Sequence, residues 1–398
     1  IKDMKTKQLL QIFLITSLCL ITACQKQEKP TVSVLTDEKK YDSAEELLEQ
    51  MTLEEKIGQL FIIRPESLDS SLTNSQVHDP SRYGVTALSQ SMIDTLQNYP
   101  VGGICMFSKN ILNPDQIKTF THDLQKASSI HLLMGIDEEG GSVSRIANNK
   151  NFHVTQYQNM AAIGQTNDQN QAYQVGQTIG HYLKEYSFNL DFAPVADVNT
   201  NPDNPVIGVR SFGRDATLVG QMVSEEIKGF HSENMMTCIK HFPGHGDTKT
   251  DTHLGYATTS KTWQDMQNCE LIPFLKGIES HTDMIMVSHI TALQVTNDHL
   301  PSSLSYEMIS ERLKNELGYD GIIITDSLAM QAITNQYSSS QAAVQAFEAG
   351  NDILLMPQDY KEAFKGIKEA VQNKEISETR LNHSVLKILR LKAKYKLI

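Results

Sequence analysis

Cysteine is scarce in this chain: five residues in 398. Cys19 and Cys24 stand in the N-terminal segment, which leaves Cys105, Cys238 and Cys269 for the body of the protein. That is no disulfide framework. Cys105 and Cys238 fall inside apolar, strand-like runs, where a lone cysteine acts as a small hydrophobe, so stability must come from a large core. An excess of positive charge is also missing: 35 Lys and Arg stand against 47 Asp and Glu, a formal charge of −12. A phosphate backbone would be repelled, which excludes a nucleic-acid partner. The apolar stretch Leu9–Ile21 is too short for a comfortable membrane span. No short repeat or low-complexity tract appears, and an apolar fraction of 40% with 21% charged residues describes an ordinary globular chain.

The short apolar stretch has a context. Lys2, Lys5 and Lys7 precede it and Thr22-Ala23-Cys24 follow, the layout of a bacterial lipoprotein signal in which Cys24 becomes the lipidated first residue. Residues 1–23 are therefore expected to be a signal peptide and 24–42 a flexible polar tether. The membrane becomes a partner through a lipid anchor at Cys24, and the protein is expected on the extracytoplasmic face. Ordered structure should begin at Ser43, where Ser43-Ala44-Glu45-Glu46 reads as the capped entry to a helix ending near Gly58.

From there short apolar runs alternate with amphipathic stretches. The runs are Leu60–Ile63, Gly103–Phe107, Leu132–Ile136, Phe188–Val195, Thr237–Ile239, Met284–Val287, Gly321–Thr325 and Asp352–Met356, eight in all. Between them lie helical patterns such as Asn113–Ser128, Asp168–Tyr186, Leu218–Glu233, Thr262–Ser280 and Ser338–Ala349. Strands that do not alternate in polarity belong to a parallel sheet covered on both faces. Eight such units predict an α/β protein, a (β/α)8 TIM-type barrel over residues 43–398 with no second α/β domain after the helix Glu378–Lys394.

Active sites of such barrels lie at the C-terminal ends of the strands. Those ends carry Arg64, Asp137, Asp197, Lys240-His241, His289 and Asp326, ionisable residues that follow apolar strand bodies. Three regions are rich enough to carry chemistry. In Lys240–His253, three His and two Asp fall within thirteen residues, but Pro243 and Gly244 interrupt any helix that would align His241 with His245 as metal ligands. No metal and no cofactor is expected. Asp251 and His253, one residue apart on an extended segment, can face the same way; a carboxylate beside an imidazole suits proton transfer near neutral pH. Gly321–Asp326 is a strand ending in an acid that could attack an anomeric carbon or ligate a cation. In Gly135–Arg145, Asp137 could accept two sugar hydroxyls while Arg145 holds it.

Taken together, Gly135–Arg145, Phe192–Asp215, Lys240–His253 and Gly321–Met330 resemble, in the same order, the motifs of the family 3 glycoside hydrolases, and within them the bacterial β-N-acetylhexosaminidases of the NagZ type. The resemblance implies Asp326 as nucleophile and Asp251 with His253 as the acid/base dyad. It implies Asp137, Arg145, Arg210, Lys240 and His241 as sugar-binding residues, although Arg210 could instead simply pair with an acid. The expected activity is retaining hydrolysis of terminal β-linked GlcNAc from muropeptides, the amino-sugar fragments of peptidoglycan, by a monomer. Alternatives are a GlcNAc phosphorylase, a β-glucosidase of the same family, a metal-dependent hydrolase, and a lipid-anchored sugar-binding protein without enzymatic activity.

Overall fold

A computed structural model describes residues 43–249, 255 and 257–398. Cys24, the signal and tether, and the Asp251–His253 pair lie outside these described residues. Among the described residues, no helix is long and apolar enough to cross a membrane.

Eight parallel strands form one sheet: β1 Phe61–Ile63, β2 Gly103–Met106, β3 Leu133–Ile136, β4 Leu190–Asp191, β5 Met236–Phe242, β6 Met284–Val287, β7 Ile322–Thr325 and β8 Leu354–Leu355. Each is buried along its length, as strands sealed by a barrel interior and a helical coat must be. The order runs from β7 through β6, β5, β4, β3, β2 and β1 to β8. Main-chain bonds from Asp352 N to Ile323 O (2.7 Å) and Thr325 N to Ile353 O (3.1 Å) join the two ends into a closed barrel. This is the (β/α)8 architecture expected from the eight apolar runs.

The helices start where side chains can take up free N–H groups. Asn113, Asp168, Ser338 and Ser377 accept from main-chain nitrogens at the starts of Pro114–Ala127, Gln169–Glu185, Ser339–Ala349 and Glu378–Lys394. Three expectations need correction. The helix expected from Ser43 to Gly58 is two helices, Ala44–Gln50 and Leu53–Gln59, because Thr52 and Glu55 form their own capping box. Thr262–Ser280 likewise divides into Trp263–Gln267 and Leu271–Glu279. The run Phe188–Val195 pairs continuously only over Leu190–Asp191; beyond it stands Pro194, which has no N–H to donate. Cys105 and Cys238 are buried, unpaired thiols, as their setting implies.

Candidate active site

The C-terminal rim of the barrel holds a buried network of charge. Asp137, one residue past β3, accepts from Lys240 Nζ at 2.8 Å and from Arg145 Nη2 at 3.3 Å. Lys240 also lies 2.7 Å from Glu139 Oε1, and Arg210 grips Glu139 with Nε and Nη2 at 2.8 and 2.6 Å. Two carboxylates and three cations thus share one site, leaving it a surplus of one positive charge. Burial alone would raise the Asp137 and Glu139 carboxyls. For Asp137, Lys240 and then Arg145 outweigh it and hold the acid well below the usual carboxylate range. For Glu139, Lys240 and Arg210 bring it down to about 2. The Lys240 ammonium is pushed above its ordinary value in return: burial opposes the charge, but Asp137 and Glu139 prevail. All stay ionised at neutral pH.

Local geometry explains the division of labour in the acidic run. Residues 138–140 are extended and pair with Val143–Ser144 across a turn in which Gly140 and Gly141 take φ of +86° and +64°. Neighbouring side chains on an extended segment point to opposite sides. Asp137 and Glu139 therefore face the cations, while Glu138 turns into the protein. There it accepts from the main-chain N–H groups of Arg145, Ile146 and Ala147 and from the Tyr182 hydroxyl. That carboxylate holds the backbone from which Arg145 reaches back to Asp137.

A second cluster adjoins the first through β5. His241 Nδ1 lies 2.7 Å from Asp197 Oδ2, so a carboxylate fixes the ring and leaves Nε2 as its other polar atom. Asp197 also accepts from the His245 N–H at 2.6 Å, and its carboxyl is held below the usual range: burial opposes this, and His241 and His245 prevail. His245 rests on Thr248 Oγ1 at 2.7 Å, and its imidazole is depressed by burial and by His241. Asn204 ties this turn down, donating to the carbonyls of His245 and Thr248 at 2.8 and 2.9 Å.

Asp326 follows β7 on the same rim and is half-buried, with Oδ1 accepting the Ser327 N–H at 2.7 Å. It is near enough to His245 to act on that ring electrostatically. The structure thus brings Asp137, Arg145, Lys240 and Arg210 into one network and sets His241 beside it. Arg210 does pair with an acid, and that acid belongs to the network. The remaining expected residues, Asp251 and His253, lie outside the described residues.

Sequence reasoning gave Glu139 no role. Its signal was present: in an extended run, the residue two places from Asp137 shares its face. Asp197 and His289 were visible as strand ends, but their partners lie 44 and 38 residues away and carry no local mark.

Residues 52–391 match the N terminal domain of glycosyl hydrolase family 3. The chain belongs to that family. It is 31% identical over 338 residues to the Beta-hexosaminidase A of Pseudoalteromonas piscicida, covering 79% of this chain and 56% of that protein. The Beta-hexosaminidase of Nitrosomonas eutropha is 31% identical across 69% of this chain and 78% of its own length. Among solved structures, a family 3 beta-N-acetylglucosaminidase from Paenibacillus sp. str. FPU-7 superposes with a TM-score of 0.79 at 35% identity, over 87% of this chain and 63% of that one. The chain therefore spans little more than half of the first of these relatives and under two thirds of the last.

Proposed function

We propose that this protein is an exo-acting, retaining β-N-acetylglucosaminidase. The observation that carries the reading is the ionised Asp137–Lys240–Glu139–Arg210 network on the rim that also bears Asp326, in a chain 31% identical to two β-hexosaminidases. Asp137 accepts from two hydroxyls of the terminal sugar, and its depressed pKa keeps it an acceptor. Arg145, Lys240, His241 and the free N–H groups of Arg210 donate to the remaining oxygens.

The Asp326 carboxylate attacks the anomeric carbon as the glycosidic bond breaks. His253, oriented by Asp251, gives its proton to the departing oxygen. Water then attacks the glycosyl–Asp326 ester while His253 takes the proton back, so the sugar leaves with its configuration retained. An imidazole in place of the second carboxylate does not repel an incoming anion, which keeps phosphate open as an alternative acceptor.

The substrate class follows from the same reading. The aglycone is an N-acetylmuramic acid residue of a peptidoglycan fragment, and the enzyme works as a monomer. A lipid anchor at Cys24 and the 24–42 tether hold it on the extracytoplasmic face, where such fragments are released.

The test is Asp326→Ala assayed on 4-nitrophenyl β-GlcNAc. Loss of the nucleophile should lower turnover by about 10³-fold or more. NMR of the wild-type reaction should show the β-anomer first. Near-normal turnover in the variant, or α-anomer as first product, would sink the proposal.

A further inference from the structure

His289 stands two residues past β6 and is fully buried, and both its ring nitrogens are engaged. Nδ1 lies 2.7 Å from Ser303 Oγ, and Nε2 lies 2.8 Å from the carbonyl oxygen of Ser327. A carbonyl can only accept, so Nε2 carries a proton, while Nδ1 is held by the Ser303 hydroxyl. Ser303 is itself fixed at both main-chain ends. Its N–H donates to Ser288 O at 3.0 Å, and its carbonyl accepts from Asn351 Nδ2 at 2.9 Å.

Ser327 is the residue after Asp326. Its N–H donates to Asp326 Oδ1, and its carbonyl takes a second bond from Met330 N at 3.1 Å. The flanking N–H groups are held by the barrel: Asp326 N donates to Val287 O at 2.8 Å and Leu328 N to Leu355 O at 2.9 Å. Strands β6 and β8 therefore pin the two ends of this turn. The Ser327–Leu328 peptide, which follows the N–H that touches the carboxylate, is held on its N–H side by β8 and on its carbonyl side by an imidazole.

We infer that His289 is a positioning residue of the nucleophile: its Nε2–H anchors the carbonyl side of Ser327 and so, through the Ser327 Cα, steadies the adjoining peptide whose N–H meets Asp326 Oδ1. The inference rests on the reading of Asp326 as nucleophile. A carboxylate that must meet an anomeric carbon in line tolerates little displacement, and about 1 Å of error costs on the order of 10²-fold in rate. A histidine suits the task because its two nitrogens point apart, one anchored to Ser303 and one reaching across to the next strand. A packing role alone would need neither polar contact.

The experiment compares His289→Leu, His289→Gln and Ser303→Ala in the full chain, reading kcat on 4-nitrophenyl β-GlcNAc, Ki for GlcNAc, and Tm. The glutamine amide can place an N–H near Nε2. His289→Leu should lose roughly 30- to 100-fold in kcat with Ki within about twofold, and His289→Gln should recover to within about fivefold of wild type. Ser303→Ala keeps the ring but frees it, and should lose about three- to tenfold in kcat alone. The inference is overturned by a folded His289→Leu with kcat within about threefold of wild type, or by a His289→Gln no better than the leucine variant. It is likewise overturned if kcat, Ki and Tm decline together in every variant. Should the leucine variant fail to fold, Ser303→Ala decides, and an unchanged kcat overturns. Asp326→Ala separates the two readings: activity in that variant removes the nucleophile assignment itself, whereas its inactivity beside a normal His289→Leu removes only the positioning role.

Discussion

Glu139→Gln removes one charge from the buried network while keeping the size of the side chain. Glu139 has a side-chain exposure of 1% and shares its oxygens with Lys240 and Arg210. The cationic partners bring its carboxyl from 4.5 to about 2. A group with those two values contributes about 3 kcal/mol at neutral pH. The sign follows from the depressed folded pKa: the contribution is complete above the unfolded value of 4.5 and is lost as the pH falls toward about 2. The variant should therefore be about 3 kcal/mol less stable at pH 7 and only about 1 kcal/mol less stable at pH 3, where the wild-type acid has begun to protonate.

A barrel of about 350 residues unfolds with an entropy of about 0.7 kcal/mol/K, so the loss at pH 7 amounts to roughly 4 °C in Tm. Urea unfolding of both proteins between pH 7 and pH 3, together with the pH 7 melting curve, measures the difference. Combining Glu139→Gln with Lys240→Met supplies an internal control. Each single change leaves an opposite charge buried without one of its partners, so the double variant should be more stable than the sum of the two predicts. A difference that stays constant from pH 7 to pH 3, or strict additivity, would refute the electrostatic account of the site.

Three further outcomes are expected. Lys392 is fully buried, and burial brings its amine down to about 7, so the unfolded chain holds more protons above that pH; wild type should gain stability between pH 7 and 10 relative to Lys392→Met, and parallel pH profiles would contradict this. A Cβ on Gly246 would come within 1.9 Å of the Val198 carbonyl oxygen, so Gly246→Ala should cost about 1–3 kcal/mol by forcing apart the turn that leads to Asp251 and His253; an unchanged Tm argues against it. Exhaustive chelation should leave turnover on 4-nitrophenyl β-GlcNAc unaltered, whereas phosphate buffer should be checked for GlcNAc 1-phosphate; lost activity in the first assay points to a metal, and a phosphorylated product in the second names the acceptor.

The barrel was legible in the sequence because its signal is local and repeated. A strand buried on both faces must be apolar at every position, and β7, with three successive isoleucines before Thr325, could hardly be read otherwise. Helix starts were legible where a capping residue precedes the first turn, as at Asn113 and Ser377. The same chemistry misled at Thr52, where a second capping box broke an apparently continuous helix. Within the site, charged residues at strand ends could be recognised one by one. Their pairing could not, because Glu139 meets Arg210 across 71 residues and Asp137 meets Lys240 across 103, separations set by barrel closure and not by any local pattern. The clamp of His289 on Ser327 was hidden for the same reason.

The helix Glu378–Lys394 passes under the barrel and hands its side chains to the ends of distant strands. Lys387 lies 2.8 Å from Asp352, Lys394 lies 2.7 Å from Asp283, and Lys392 reaches Gln59 and the Gly102 carbonyl. Asp283 stands just before β6 and Asp352 just before β8, both buried. During synthesis these acids emerge long before their counter-ions do. A nascent chain halted before residue 378 would have to seal these carboxylates into its base without Lys387 and Lys394, the lysines that pair with them in the finished fold. Biogenesis is thus coupled to the arrival of one late segment, and a premature stop there should yield a substrate for proteases, not a shortened enzyme.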